Sequence, residues 1–270
     1  MTKKDQYYVI GYPVKHSLSP KIHHAFAQET KQNLNYDFLE VEPSKFKDTI
    51  TKLQDDHSVK GLSITVPFKE EAFKLCDHAD EYAKKVQAVS NISFDNNRKL
   101  YGHNLDGYAL ILDMHAKHID LTNKNILILG AGGATRGCLL PIIHQKPKTI
   151  YLLNRTQQKA VDLINEFKGI YNINLLNINN IPFKFDVIIN ATSSSLSNQL
   201  PTVNKNFVMT KKSFGYDLAY NKLNDTIFVQ WMKDQSCIAY DGSGMLYELS
   251  KEIFSIWRGV SPKLNPLDKA

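Results

Sequence analysis

The chain alternates short apolar runs of strand length with longer segments in which apolar residues recur at helical spacing. Strands that alternate with helices predict an α/β architecture with parallel sheets. Proline opens each predicted helix of the first third, where its missing N–H is not needed. The predicted strands are Tyr7–Ile10, Tyr36–Leu39, Leu62–Val66, Asn125–Leu129, Thr149–Leu153, Phe185–Ile189 and Ser213–Leu218, and the predicted helices are Pro20–Glu29, Pro43–Leu53, Pro67–Leu75, Ala134–His144, Gln157–Phe167 and Met245–Trp257.

The pattern divides into two sets of elements, which predicts two domains. A length of 270 residues is enough for two packed cores. Boundaries near Gly107 and Asp241 give an N-terminal α/β substrate domain of residues 1–106 plus 241–270 and a Rossmann-like cofactor domain of residues 107–240. Periodicity alone leaves open whether the last helix returns to the first domain.

Composition narrows the class of protein. With 43% hydrophobic and 22% charged residues, the chain is typical of a globular protein. The net charge is +6, but no basic run exceeds two residues, so a solvated surface that weakly attracts anionic ligands is favoured over nucleic-acid binding. Cys76, Cys138 and Cys237 lie far apart and are odd in number, which indicates free thiols in a reducing compartment. We see no signal-peptide pattern and no apolar run near the ~20 residues that a membrane span needs, so we expect a cytoplasmic protein with no membrane partner.

A glycine-rich loop follows the first strand of the second domain. Gly130 to Ala134 reads Gly-Ala-Gly-Gly-Ala and leads into a helix. Such a loop lets a pyrophosphate approach the backbone, and the helix N-terminus supplies free N–H groups. A tight turn between strand and helix is the simpler role of such a loop.

The end of the next predicted strand indicates which nucleotide binds. NAD-binding folds place an acidic residue there, whereas a cation accommodates a 2′-phosphate. Asn154 is neutral, and Arg155 and Lys159 are cations that can hold a phosphate. The alternative is that Arg155 is an ordinary surface residue. We predict NADP as the cofactor.

Two segments of the first domain carry candidate substrate-binding groups. Ser17 and Ser19 present two hydroxyls just before a helix, where both can donate to one carboxylate; alternatively, Ser19 before Pro20 is a suitable N-cap. Thr65 and Lys69 lie at the carboxyl end of a predicted parallel strand, where α/β folds bind ligands, although Lys69 can also be a solvated surface residue.

Seven segments, in the same order along nearly the whole chain, resemble those of the shikimate dehydrogenase family. They are the serine segment Gly11–Pro20, Thr65–Glu71, Gly102–Gly107, Gly130–Ala134, Asn154–Thr156, Ile189–Ser194 and Asp241–Leu246.

The resemblance implies a role for each matching residue. Lys69 and Asp106 form the catalytic pair at the reacting oxygen. Ser17 and Ser19 hold the substrate carboxylate, with Thr65 and Tyr220 beside it. The implied NADP-binding residues are Gly130, Ala131, Gly132, Gly133 and Ala134 at the pyrophosphate, Asn154, Arg155, Thr156 and Lys159 at the 2′-phosphate end, and Leu218 and Gly242 near the nicotinamide.

The chain departs from the family pattern on the ring-hydroxyl side of the substrate. Ser63 and Ser90 stand where the family usually has Asn, Leu105 where it has Thr, and Leu249 where it has Gln. Asn91 follows Ser90 directly, so the register there is open by one residue. Two further departures lie elsewhere: Lys159 replaces a frequent Arg, and Ser195 replaces a common Gly.

The resemblance implies an enzyme that reversibly reduces 3-dehydroshikimate to shikimate with NADPH, in aromatic amino acid biosynthesis through chorismate, as a monomer or homodimer. One alternative is a related enzyme acting on quinate or another cyclic hydroxy-carboxylate. Another is a non-catalytic NADP-binding paralogue, which the presence of both Lys69 and Asp106 disfavours. A hydrolase is disfavoured because no G-x-S-x-G elbow follows a strand. No metal site is predicted, because the adjacent His23 and His24 do not share a helix face.

Overall fold

The protein is described here from a computed structural model, which covers residues 3–177, 184–201, 209–221 and 223–267. The chain divides into two compact units, the first comprising Met1–Ala109 and Leu246–Ala270 and the second Leu110–Met245. The two-domain α/β class is confirmed. The assignment of a substrate domain to residues 1–106 plus 241–270 and of a cofactor domain to residues 107–240 stays a prediction.

Six described strands form the sheet of the first unit: β1 (Asp5–Gly11), β2 (Leu34–Glu40), β3 (Val59–Ile64), β4 (His78–Ala79), β5 (Asn91–Phe94) and β6 (Leu100–His103). Their order across the sheet is β2–β1–β3–β5–β6–β4. Strand β1 is parallel to both β2 and β3, as predicted. Strand β5 is antiparallel to both β3 and β6, so the expectation of a purely parallel sheet is wrong for this unit.

The short connection between β5 and β6 explains this difference. A tight turn can join only antiparallel strands, because parallel neighbours need a long crossover. Here the N–H of Asp95 donates to the carbonyl of Lys99, and Arg98 adopts a left-handed conformation with φ of 64°. Both strands are only four residues long and partly polar, so their hydrophobic pattern did not predict them.

Helices cover both faces of this sheet. The described helices that begin before the second unit are α1 (Ser19–Glu29), a 3-10 turn (Pro43–Lys45), α2 (Phe46–Asp55), α3 (Lys69–Leu75), α4 (Glu81–Val86) and α5 (Asp106–Ala116), the last of which continues into the second unit. Two predicted starts are wrong. Pro43 opens the 3-10 turn rather than α2, and Pro67 precedes α3, following a cis peptide bond with Val66.

A hydrophobic core lies on each face of the first sheet. One packs Ile10, Leu62 and Ile64 against Phe46 of α2 and Phe68 just before α3, whose rings stack at 4.2 Å. The other packs Tyr7, Tyr36 and Phe26 against the C-terminal helix α9 (Ser243–Arg258), from which Phe254 is fully buried and Trp257 meets Tyr7 at 4.6 Å. The residues of α9 from Leu246 onward therefore belong to the first unit.

Six described strands also form the sheet of the second unit: β7 (Asn125–Leu129), β8 (Thr149–Leu153), β9 (Ile173–Leu175), β10 (Val187–Asn190), β11 (Phe214–Asp217) and β12 (Ile238–Tyr240). Their order is β12–β11–β10–β7–β8–β9, and every pairing is parallel, as predicted. The described helices are α6 (Gly133–His144), α7 (Gln157–Glu166) and α8 (Ile227–Asp234), with a 3-10 turn at Ser194–Ser197. The chain runs outward from β7 in both directions, and in such sheets ligands bind beyond the carboxyl ends of the strands at this switch point.

No helix in the described ranges combines the length and the apolar character needed to cross a membrane.

Candidate active site

Two predicted catalytic residues form an ion pair in the first unit. Lys69 begins α3, Asp106 begins α5, and Lys69 Nζ donates to Asp106 Oδ2 at 2.5 Å. The lysine side chain is 12% exposed and the carboxylate 2%, so solvent barely screens the pair. The second carboxylate oxygen, Oδ1, is buried and has no hydrogen-bond partner in the described chain. The pair thus places a proton donor beside a carboxylate oxygen that is free to accept a hydrogen bond.

Backbone contacts connect both members of this pair to the segment that enters β5. The N–H of Val89 donates to the carbonyl of Lys69 at 3.0 Å, and the N–H of Leu105 donates to Ser90 Oγ at 2.9 Å. Asn104 Oδ1 accepts the N–H of Asp106 at 3.2 Å. Val89 and Ser90, ahead of β5, and Asn104, after β6, therefore help to position the two helix starts that carry the pair.

The two predicted carboxylate-binding serines are brought together at the start of α1. Ser17 Oγ lies 3.2 Å from Ser19 Oγ and accepts the N–H of Ser19 at 3.2 Å. The helix begins at Ser19 and no side chain caps it, so the N-cap role considered for Ser19 is wrong. Both hydroxyls are thus available to reorient toward an anion.

Thr65 lies against the end of β1, from which the serine segment departs. Its N–H donates to the carbonyl of Ile10 at 2.9 Å. A Cβ at Gly11 would stand 2.5 Å from Thr65 Cγ2, so only glycine permits this approach without displacement. The structure therefore brings Thr65 and the serine segment to the same carboxyl edge of the sheet.

Two of the residues that depart from the family pattern have hydroxyls engaged by other protein groups. Ser63 Oγ accepts a 2.8 Å hydrogen bond from the hydroxyl of Tyr36, and both residues are buried. Ser90 Oγ accepts the N–H of Leu105 and makes a long 3.5 Å contact with the carbonyl of His103. The other two departures, Leu105 and Leu249, are half-buried and offer no polar side-chain atom.

The glycine-rich loop of the second unit has the backbone of an anion site. Gly130 has a φ of 106°, and a Cβ there would lie 3.1 Å from the carbonyl of Ala191. Gly132 precedes α6, which has no side-chain cap, and a Cβ at Gly132 would meet nothing within 4 Å. The first N–H groups of a helix have no partner inside it, so the open space at Gly132 gives an anion access to them. Ala131, Gly133 and Ala134 complete this loop and are partly exposed.

The predicted 2′-phosphate residues gather beyond β8. The N–H of Gly130 donates to the carbonyl of Leu153, which joins the glycine loop to this strand end. Asn154 Nδ2 donates to the carbonyl of Thr156 at 2.8 Å and orders the turn into α7. Arg155 and Lys159 are exposed and form no ion pair with a described residue, so both cations remain available to a ligand. These features fit a phosphorylated nucleotide.

The turn after β11 joins two residues predicted near the nicotinamide. The N–H of Gly242 donates to the carbonyl of Ala219 at 3.0 Å, and a Cβ at Gly242 would lie 2.3 Å from the carbonyl of Leu218. Tyr220 lies on the same turn, in the second unit, whereas the other predicted substrate residues lie in the first. Its role at the substrate carboxylate stays a prediction.

A buried carboxylate that the sequence did not reveal organises this turn. Asp217 ends β11, and its oxygens accept hydrogen bonds from Asn190 Nδ2, the N–H of Ala219, Ser195 Oγ and Thr226 Oγ1, at 2.6–3.1 Å. The four hydrogen bonds favour the charged carboxylate and lower its pKa, but burial has the larger effect and raises the pKa of Asp217 to about 6. The sequence signal that could have indicated this carboxylate is a charged residue at the end of an apolar strand. Ser195, one of the departures from the family, is one of its donors.

His23 and His24 have different environments. The His23 ring is fully buried and stacks on Tyr36 at 4.1 Å, and burial lowers its pKa to about 3. His24 Nε2 accepts the N–H of Tyr36. Within the described ranges, no group of three or more His, Cys, Asp and Glu side chains is arranged to hold a metal ion.

Comparisons with known proteins identify relatives of the whole chain. The family models for the shikimate dehydrogenase substrate binding domain and for shikimate / quinate 5-dehydrogenase match residues 9–92 and 113–219. A Shewanella woodyi protein named shikimate dehydrogenase (NADP(+)) is 40% identical over 262 residues, which cover 97% of this chain and 94% of that protein.

Solved structures agree with these matches. The crystal structure of shikimate dehydrogenase from Aquifex aeolicus superposes with a TM-score of 0.87 at 31% identity, covering 97% of this chain and 96% of that one. The crystal structure of an Ael1 enzyme from Pseudomonas putida gives a TM-score of 0.84 at 35% identity, covering 96% and 95%.

Proposed function

Because the chain belongs to the shikimate dehydrogenase family, we propose that it catalyses the reversible reduction of 3-dehydroshikimate to shikimate with NADPH, in aromatic amino acid biosynthesis. The observation that carries this proposal is the buried ion pair of Lys69 and Asp106. A non-catalytic binding protein has no need to bury a lysine against a carboxylate, since leaving both in water costs less.

The pair handles the proton that the reaction requires. NADPH supplies the hydride when it is bound. The ketone oxygen then needs a proton, and Lys69 Nζ is the donor that the pair directs. Asp106 Oδ2 orients the ammonium, while Oδ1 is free to accept a hydrogen bond from a substrate hydroxyl. In the reverse direction Lys69 takes the proton back.

The hydroxyls of Ser17 and Ser19 bind the substrate carboxylate, with Thr65 beside them, and Tyr220 is assigned to the same carboxylate by the family pattern. Two hydroxyls 3.2 Å apart can each donate to one oxygen of a carboxylate. Because shikimate, quinate and their keto forms all carry this carboxylate, the serines recognise the class of substrate rather than one member.

The second unit holds the nucleotide. Residues 130–134 would hold the pyrophosphate, because the backbone around Gly132 is open. Asn154, Arg155, Thr156 and Lys159 would hold the 2′-phosphate end and so select NADP over NAD. Leu218 and Gly242 would contact the nicotinamide end, from the turn that Asp217 organises. The three free cysteines fit a cytoplasmic enzyme, working as a monomer or homodimer.

A related enzyme for quinate or another cyclic hydroxy-carboxylate is the second candidate. Relatives named shikimate dehydrogenase (NADP(+)) do not favour it. The ring-side departures motivate its test, because the side chains of Leu105 and Leu249 cannot form a hydrogen bond and the Ser63 hydroxyl already has a protein partner. Leaving a buried substrate hydroxyl unpaired costs about 1–3 kcal/mol.

A panel of ring acids tests both candidates. Purified protein is mixed with NADP⁺ and shikimate, quinate or a further cyclic hydroxy acid, and NADPH absorbance is followed. We expect the highest kcat/KM with shikimate. A higher value with quinate replaces the proposal by the second candidate, and no turnover of any acid together with NADP binding indicates a non-catalytic protein.

A further inference from the structure

Asp80, a carboxylate that no proposed binding role uses, holds the segment that leads to Asp106. It directly precedes α4, and its N–H donates to the carbonyl of Gly102 in β6 at 3.0 Å. Asp80 Oδ2 accepts the N–H of Asn104 at 3.2 Å. The side chain of Asp80 is only 28% exposed, so water competes weakly for these bonds. Asp80 therefore fixes both the end of β6 and the first residue beyond it.

The side chain of Asn104 carries this constraint on to the catalytic carboxylate. Asn104 is buried, its Oδ1 accepts the N–H of Asp106 at 3.2 Å, and its Nδ2 donates to the carbonyl of Ala88 at 2.9 Å. Because both ends of the amide are engaged, the side chain has a single arrangement that satisfies it. Asp80 holds the backbone of Asn104, and Asn104 holds the backbone of Asp106. The position of Asp106 therefore depends on Asp80.

His103 is the charge partner of Asp80. Its Nδ1 lies 3.5 Å from Asp80 Oδ2, and its Nε2 lies 3.2 Å from Ser93 Oγ on β5. The carbonyl of His103 accepts the N–H of Ser90 at 2.8 Å. Contacts at both ring nitrogens and at the backbone keep the imidazole against the carboxylate. His103 thus supports the oxygen of Asp80 that binds Asn104.

The two oxygens of Asp80 have separate tasks. Oδ1 accepts the N–H of Ala83 at 2.5 Å and caps α4, whereas Oδ2 faces Asn104 and His103. Burial alone raises the pKa of Asp80, but the hydrogen bonds from His103 and from the N–H groups of Ala83 and Asn104 outweigh it and lower the pKa. The carboxylate is therefore charged at neutral pH, and a substitution can remove one task while it keeps the other.

We propose that Asp80 is a positioning residue, which acts through Asn104 to hold the catalytic carboxylate of Asp106 beside Lys69. A shift of about 1 Å in a catalytic group can cost about 10²-fold in rate, so such a residue affects turnover without contacting the substrate. This inference rests on the proposed function, because only there does Asp106 have a catalytic role.

The test replaces Asp80 by Ser. Serine is as good an N-cap as aspartate, so α4 stays capped, but its single short side-chain oxygen cannot also bind Asn104. We expect kcat for shikimate to fall about tenfold. KM for NADP⁺ should not change, because the proposed nucleotide residues lie in the second unit. Asp80→Asn, which keeps the shape of the side chain, should show a similar fall, since an amide N–H replaces the oxygen that faces Asn104.

Asp77→Ser is the matched control. Asp77 Oδ2 accepts the N–H of Leu100 at 2.8 Å, so it makes the same kind of bond at the opposite end of β6. This variant loosens the strand but leaves the connection to Asp106 intact, and kcat should stay the same. An equal fall of kcat in Asp77→Ser and Asp80→Ser would show that any loosening of β6 has this effect, which overturns the inference.

A double-mutant cycle separates positioning from a general structural role. If Asp80 acts through Asp106, adding Asp80→Ser to Asp106→Asn should lower kcat little further, because the group being positioned has already lost its charge. A full tenfold further loss would mean that the two residues act independently. That result, or unchanged kcat in Asp80→Ser and Asp80→Asn alone, overturns the inference.

Turnover of shikimate by the unaltered protein tests the proposed function separately. If that turnover is absent, amide hydrogen exchange followed by mass spectrometry still tests the positioning. Asp80→Ser should speed exchange of the N–H groups of Asn104 and Asp106, and Asp77→Ser should not. Unchanged exchange at both N–H groups in Asp80→Ser overturns the inference.

Discussion

Lys69 and Asp106 each begin a helix, and their side chains meet at 2.5 Å although 37 residues separate them in the chain. The partial positive charge at the N-terminus of α5 favours the negative charge of Asp106. Because both helix starts are also hydrogen-bonded to residues 89–90 or 104, the pair is positioned by backbone contacts as well as by its own attraction.

Removing the lysine should slow proton transfer without weakening nucleotide binding. We expect Lys69→Ala to lower kcat by about 10²–10⁴, the usual contribution of a general acid–base group, and Asp106→Asn to lower it less. NADP⁺ affinity should stay nearly constant. Lys74→Ala, an exposed lysine on the same helix, is the control and should keep full turnover. Near-normal kcat in Lys69→Ala would contradict the assignment.

Cofactor choice should depend on the cations beyond β8. The protein should prefer NADP(H) over NAD(H) by at least tenfold in kcat/KM, about 1.4 kcal/mol. Arg155→Asp should shrink or reverse this preference, because a carboxylate repels the 2′-phosphate and can bind a ribose hydroxyl. Lys148→Asp makes the same charge change just before β8 and should not alter it. Equal use of both cofactors by the unaltered enzyme would rule the prediction out.

Restoring a polar side chain on α9 should improve substrate recognition. If ring contacts are missing, KM for shikimate should lie toward the upper end of the usual range, ~1 mM. Leu249→Gln should then raise kcat/KM several-fold, since one added hydrogen bond contributes about 1 kcal/mol. Leu249→Met is the control, because it keeps the volume and adds no donor. A low-micromolar KM in the unaltered enzyme, with Leu249→Gln harmful, would contradict this expectation.

Titration of Asp217 should make the stability of the protein depend on pH. Its pKa is raised from 3.8 to about 6, so between these values the folded protein retains a proton that the unfolded chain loses, and stability falls as pH rises. Asp217→Asn removes this titration. The difference in free energy of unfolding between Asp217→Asn and the unaltered protein should therefore grow in favour of the variant by about 2–3 kcal/mol from pH 4 to pH 7. Urea denaturation at each pH measures it.

Ser195→Gly tests the titration of Asp217 in a second way, through the pH dependence of stability. It removes a 2.6 Å donor that favours the charged carboxylate and so lowers its pKa. The upper limit of the pH window in which stability falls should therefore move upward, while its lower limit stays at the pKa of the unfolded chain. Stability curves of Asp217→Asn and the unaltered protein that run parallel over this pH range would show that Asp217 does not titrate there.

The amino-acid pattern alone was enough to predict the α/β class, the parallel sheet of the second unit and the glycine loop. These depend on hydrophobic periodicity and on residues adjacent in the chain, such as Gly130 to Ala134 between a strand and a helix. The family, its reaction and its cofactor followed from the order of seven segments, and the comparisons confirm them.

Tertiary structure alone decided how the polar groups pair. The hydrogen bond between Tyr36 and Ser63 spans 27 residues. The antiparallel pairing that sets Asn91 opposite Ser63 joins β3 to β5, a strand too short and too polar to leave a periodic signal. Two of the four donors around Asp217, Asn190 and Ser195, lie 27 and 22 residues from it in the chain. Such pairings depend on which strands become neighbours and in which register, and one residue of slip turns every side chain to the other face. Local sequence patterns carry no information about that choice, because it is made by contacts between residues far apart in the chain.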